Sequence, residues 1–121
     1  MNEPPPFDRE IYLELCAGLG NEDAAEVLKV FLSDTSGKLR TLAADRHARS
    51  TIRREAHSIK SSAATFGFAE LSSLARDLEL HAEATSLEQL NESVEALRQA
   101  YERISKLAQA DLLGSSLENA R

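Results

Sequence analysis

The chain has no tryptophan, one cysteine, three prolines and five glycines in 121 residues, and aromatic residues make up 5% of it. A single thiol, Cys16, permits no internal disulfide and fits a reducing compartment. No apolar run approaches the ~18–20 residues that a membrane-spanning helix needs. The start, Met1 to Pro6, lacks a basic stretch followed by an apolar one, so it does not read as a secretory signal. These absences place the chain in the cytoplasm. An excess of positive charge is also missing. Lys and Arg number 14 against 20 Asp and Glu, a net charge of −6, which argues against nucleic acid as the partner, because a phosphate backbone calls for a basic face. No P-loop pattern, no kinase-type glycine loop and no carboxylate cluster for magnesium is present. The chain therefore reads as a protein that does not use ATP itself.

Apolar residues, chiefly Leu and Ala, make up 42% of the chain, a composition suited to packed helices. Pro4 to Pro6 form a stiff lead-in, with 1–6 expected to be flexible. Asp8 is placed to cap a first helix, with Phe7 and Tyr12 as a hydrophobic staple. Ile11, Tyr12, Leu15, Cys16 and Leu19 share a face, and Gly18 and Gly20 end that helix. Asn21 caps a second, which runs to about Ala44 through Ala24, Val27, Leu28, Phe31, Leu39 and Leu42, with its middle weakened at Ser33 to Gly37. Asp45 to Ser50 is a polar loop. A third helix starts near Thr51 and ends at Gly67, and a fourth carries Leu71, Leu74 and Leu78. The fifth opens on Ser86 and Gln89 as a capping box and carries Leu87, Leu90, Val94, Leu97, Tyr101, Ile104 and Leu107. Residues 114–121 read as a frayed tail. The expected fold is all-α: one domain over 1–121, an antiparallel four-helix bundle with a short additional N-terminal helix.

One stretch carries chemistry: Arg54-Glu55-Ala56-His57-Ser58-Ile59-Lys60-Ser61-Ser62. The apolar stripe of its helix is Ile52, Ala56, Ile59, Ala63 and Phe66. At 100° per residue, His57 lies roughly 140° from the centre of that stripe and Lys60 roughly 80° to one side. His57 should therefore face solvent on a rigid helix. A neutral imidazole nitrogen is a good nucleophile near neutral pH. A cation three residues on disfavours the imidazolium and stabilises incoming negative charge such as phosphate. Small residues at 61 to 64 keep the surface beside the ring low. That run has a plainer use as well, since Ala and Ser let two helices pack closely.

The stretch resembles the histidine-containing phosphotransfer (HPt) domain of bacterial two-component phosphorelays. The resemblance rests on Ala56, His57, Ile59, Lys60, Ser61, Ser62, Gly67, Leu71, Leu74, Leu78 and Glu79, and is close over 54–79. It implies that His57 carries a phosphoryl group, accepted from an aspartyl phosphate on a receiver domain and passed reversibly to another. It implies that Lys60 screens the phosphate and that Glu79 orients His57 or Lys60. No cofactor is implied, since magnesium would come with the receiver. The implied partners are response-regulator receivers, a hybrid histidine kinase, or both, with this chain a monomer. Arg53, Arg54, Ser58, Ser61 and Ala64 are the expected docking residues. Ser61 departs from the family's usual glycine, and its hydroxyl either crowds the receiver or hydrogen-bonds the phosphate.

Other candidates read more plainly. His47, beside Arg46 and Arg49, is an ordinary surface histidine, and His81 forms a local pair with Asp77. Cys16 is a buried structural thiol. The three histidines have no metal-ligand spacing. Arg53 and Arg54 are either a solvated face or a guide for an acidic receiver pocket. Asp77, Glu79 and Glu83 are expected to be mostly solvated. Two rivals to a free-standing relay protein stand beside it: a receiver-docking module that is never phosphorylated, favoured by Ser61, and the phosphoacceptor domain of a larger histidine kinase, which the initial Met and the short tail disfavour.

Overall fold

The computed structural model describes residues 5–44 and 48–113. These form five α-helices, α1 (Arg9–Leu19), α2 (Asn21–Ala44), α3 (Arg49–Phe66), α4 (Ala69–His81) and α5 (Leu87–Leu107), and a short π-helical segment, Ala108–Leu113. There is no strand among the described residues. Helix α2 packs on α3 and α5, α3 on α4, and α4 on α5, so these four close a ring, with α1 lying against α2 and α3. The structure is thus an all-helical bundle.

The local signals account for most helix ends. Asp8 accepts a hydrogen bond from the Glu10 amide at 3.2 Å, and the Phe7 and Tyr12 rings meet at 6.0 Å. Ser86 accepts from the Gln89 amide at 3.1 Å, but the Gln89 side chain turns to the Thr85 hydroxyl instead of closing the box. Gly18 lies inside α1, which is ended by Gly20 at φ +92°. Asn21 is already helical, because the Gly20 carbonyl accepts the first bond of α2, from Ala24. Helix α2 runs through Ser33 to Gly37 without interruption, with Thr35 only 2% exposed. Helix α3 starts two residues earlier than Thr51, at Arg49. Positions 45–47 of the expected loop, with His47, lie outside the described residues, as do 1–4 of the lead-in and the expected tail, 114–121.

Gly67 ties the start of the chain to the end of α3. It sits at φ +85°, and its carbonyl accepts the Asp8 amide at 2.7 Å. A Cβ there would strike the Asp8 carbonyl oxygen and come within 3.2 Å of Ile11 Cβ. Both the left-handed backbone and the close approach require glycine. Beside it Phe68 is fully buried, its ring within 5.5 Å of both Phe7 and Phe31. Burying one such ring stabilises the fold by roughly 1.5–3 kcal/mol. Phe31, Phe66 and Phe68 form an aromatic plug at this end of the bundle.

The predicted stripe of α3, Ile52, Ala56, Ile59, Ala63 and Phe66, is its buried face. Ala56 and Ala63 on α3 and Ala75 on α4 have no exposed surface, which lets these two helices approach closely. Elsewhere the periodic pattern overreaches. Val27, Leu87, Ile11 and Leu19 are 38–44% exposed. Leu74 is half-buried while Ala75 and Ala100 take core positions. Cys16 is half-buried against the core rather than enclosed.

Candidate functional site

Helices α3 and α4 run antiparallel. Arg53 pairs with Glu83 and His57 with Glu79, so numbers rise on one helix as they fall on the other. Two further ties hold the register. The Ser72 hydroxyl donates to the Lys60 carbonyl at 2.9 Å. The Arg49 guanidinium donates to the carbonyls of Ala82 and Thr85, just past the end of α4, where helix carbonyls lack partners.

On this frame the His57 side chain is 61% exposed and Glu79 only 18%. The Glu79 carboxylate is shared. Oε2 lies 2.7 Å from His57 Nδ1, and Oε1 lies 2.8 Å from Lys60 Nζ. The hydrogen bond from Lys60 first, and that from His57 second, hold the Glu79 carboxyl below its usual range, so it is ionised at neutral pH. An ionised carboxylate only accepts hydrogen bonds, so the proton at this contact belongs to Nδ1. In the neutral ring the lone pair is then on Nε2, at the exposed edge. Lys60 is 30% exposed and lies against Glu79 rather than free over the ring.

His57 and Glu79 border a surface hollow of about 320 Å³ together with Ser50, Arg53 and Arg54. Arg53 Nε donates to Glu83 Oε2 at 2.8 Å, with both side chains about half exposed. The Arg54 side chain is exposed and makes no hydrogen bond or ion pair among the described residues. On the other side of the ring, Ser61 and Ala64 are exposed and Ser58 is half-buried. Helix α3 bears Arg49, Arg53, Arg54 and Lys60 against one acid, Glu55, in a chain whose net charge is −6. Two of these cations, Arg53 and Lys60, meet carboxylates from the α4 side, Glu83 and Glu79.

The predicted site residues fall into two groups. His57, Lys60 and Glu79 are brought into direct contact, and Arg53 and Arg54 sit one turn before them. Ser58, Ser61 and Ala64 lie along the flank of α3, and their side chains make no hydrogen bond to these three among the described residues. Glu79 was expected to be mostly solvated, and it is instead the most enclosed of the three, because it lies in the groove between two closely packed helices. Asp77 and Glu83 are exposed. His81 does form a local pair, through Nδ1 to the backbone carbonyl of Asp77 at 2.9 Å. Glu83, Ser72 and Arg49 were not foreseen as supports. Of these only Arg49 had a legible signal, a cation spaced to reach the carbonyl end of a following antiparallel helix.

The sequence matches the family model of the Hpt domain over residues 26–107. The fold is similar to the crystal structure of histidine-containing phosphotransfer protein B (HptB) from Pseudomonas aeruginosa PAO1, with a TM-score of 0.83 and 21% identity, over 90% of this chain and 96% of that one. No curated protein matches the sequence. With the family model matched over more than half of its residues, this chain belongs to the Hpt domain family.

Proposed function

We propose that the chain is a histidine phosphotransfer protein: Nε2 of His57 accepts a phosphoryl group from the aspartyl phosphate of one receiver domain and passes it to another. The observation that carries this reading is the 2.7 Å contact between Nδ1 and Glu79 on a ring that is 61% exposed. It leaves a lone pair on the nitrogen that faces solvent. As the Nε2–P bond forms, the acyl O–P bond of the donor breaks and the donor aspartate leaves as a carboxylate with the bonding electrons. The Nδ1 proton stays in the hydrogen bond to Glu79. Positive charge developing on the ring thus faces an anion already in place, which is the electrostatic logic of a carboxylate-backed imidazole. Lys60 keeps that carboxylate charged and aimed. Magnesium belongs to the receiver, and the chain acts as a carrier rather than an enzyme.

The same reading makes the four longer helices an antiparallel bundle within one domain, with α1 across one end, and places the chain in the cytoplasm as a monomer. Receivers, free or within a hybrid histidine kinase, would dock on α3 over Ser58, Ser61 and Ala64. The cations of that helix would draw the acidic pocket of a receiver toward the ring.

The test is transfer from a panel of receiver domains loaded with labelled phosphate, in magnesium, to the wild type and to His57→Gln. Acid-labile, base-stable label on the wild type alone is the expected result. Label on the variant at the wild-type rate would sink the proposal. Label that comes only from a kinase domain with ATP would make the chain a kinase's phosphoacceptor instead.

A further inference from the structure

We infer that Arg54, rather than Lys60, is the cation that grips the phosphoryl group once it is on His57. The inference rests on the phosphotransfer reading above and adds a residue to it. Its basis is a count of charges around the hollow. Lys60 is bound to Glu79 at 2.8 Å and Arg53 to Glu83 at 2.8 Å, so two of the three nearby cations are each cancelled by a carboxylate. Arg54 has no such partner among the described residues, and it lines the same hollow as His57. Among the described residues it is the one cation lining the hollow without a carboxylate partner.

Direction agrees with charge. Arg54 and His57 are three apart on α3, so they are surface neighbours. Side chains of a helix lean toward its N-terminus, which carries the outer edge of the ring toward the turn of Arg53 and Arg54. The hollow extends that way as far as Ser50, and Lys60 is not part of its wall. A phosphoryl group bonded to Nε2 would stand in this hollow with its three terminal oxygens facing the guanidinium. Arginine offers paired N–H donors that match two of those oxygens at once, and lysine does not. Lys60 then acts at one remove, by neutralising Glu79 and holding it on Nδ1. Without Lys60 the hollow would carry an unscreened anion next to the phosphate.

The test uses potassium phosphoramidate, which transfers its phosphoryl group to imidazole with loss of ammonia and needs no receiver. Wild type, Arg54→Gln, Arg54→Lys and Lys60→Gln are phosphorylated, and the 31P signal of the phosphohistidine is followed against pH. A guanidinium on the phosphoryl oxygens favours the dianion and lowers the pH midpoint of that signal. Arg54→Gln should raise the midpoint, Arg54→Lys should restore part of the shift, and Lys60→Gln should move it less than Arg54→Gln does. The rate of labelling by phosphoramidate should also fall by about tenfold in Arg54→Gln, the scale of one lost charge-assisted contact. A residue of merely structural importance would not move the midpoint. An unchanged midpoint in Arg54→Gln, or a larger shift in Lys60→Gln, would overturn the inference. So would a wild type that takes no label at His57. Labelling by phosphoramidate without any transfer from receivers would count against the relay reading, while the midpoints would still decide the role of Arg54.

Discussion

Two hollows among the described residues differ in size, and the roomier is not the one that holds the chemistry. Between α2 and α5 lies a groove of about 580 Å³, against about 320 Å³ beside His57. Its polar groups are largely spent on one another. The Tyr101 hydroxyl donates to the Leu32 carbonyl at 2.7 Å, and Arg40 donates to the Ser36 hydroxyl at 3.2 Å. Burial raises the Tyr101 phenol above its ordinary range, so it stays a neutral donor that braces α5 against α2. Beside His57 the opposite holds. A carboxylate fixes one ring nitrogen and leaves the other without a partner, next to an arginine that also lacks one. Volume measures where helices fail to fill space. A reactive group is marked by what its neighbours leave unsatisfied.

If that contrast is right, substitutions in the two hollows should differ in kind. His57→Gln should abolish acceptance of phosphate while changing stability by no more than about 0.5 kcal/mol, since the ring is exposed; labelled transfer and a urea melt check the two halves together. Glu79→Gln comes next. An amide oxygen still accepts from Nδ1 but brings no charge, and transfer should fall by roughly 10–100-fold, the usual cost of removing an orienting partner.

The same variant carries a pH signature. The folded protein holds the Glu79 carboxyl below its unfolded value, so this contribution to stability is complete above the ordinary carboxylate range and is lost as pH falls through the lowered value. The stability gap between wild type and Glu79→Gln should therefore be widest near neutrality and close in acid. A gap that widens on acidification, in denaturant melts across that range, would contradict the assignment.

Lys60→Ala should slow transfer by only about three- to tenfold, because the lysine works through Glu79 and a single ion pair at the surface of a protein is worth little on its own. Loss as complete as that of His57→Gln, in the same transfer assay, would mean that the lysine meets the phosphate directly. The smallest effect belongs to the larger hollow. Tyr101→Phe should leave transfer unchanged and cost at most about 1 kcal/mol, one hydrogen bond. A slowed transfer there would break the contrast and connect the two hollows.

The stripe Ile52, Ala56, Ile59, Ala63 and Phe66 was legible because a helix on a core repeats its apolar residues with its own period. The outward placement of His57 followed from the same geometry. Glu79 was legible only in part. Its distance in sequence from His57 says nothing of enclosure, and an acid on a short helix is ordinarily solvated. It is enclosed because Ala56, Ala63 and Ala75 let α3 and α4 close on each other. The run of small residues that kept two meanings open divides between them: Ala63 is buried for packing, and Ser61 and Ala64 are exposed beside the ring. Leu87 and Val27 mark the reverse error. Both fit the rhythm, yet each is 40% exposed.

By itself the sequence determined the five α-helices and most of their ends, the caps at Asp8 and Ser86, the need for glycine at the end of α3, and the face on which His57 lies. Each of these depends on residues within a few turns, through period, capping and backbone freedom. Tertiary structure alone decided which ring nitrogen is free, that Lys60 and Arg53 are already paired, and that Arg54 is not. Those depend on carboxylates carried by α4 and the turn after it, whose register against α3 is set by packing and by contacts that span 12 to 36 residues of chain.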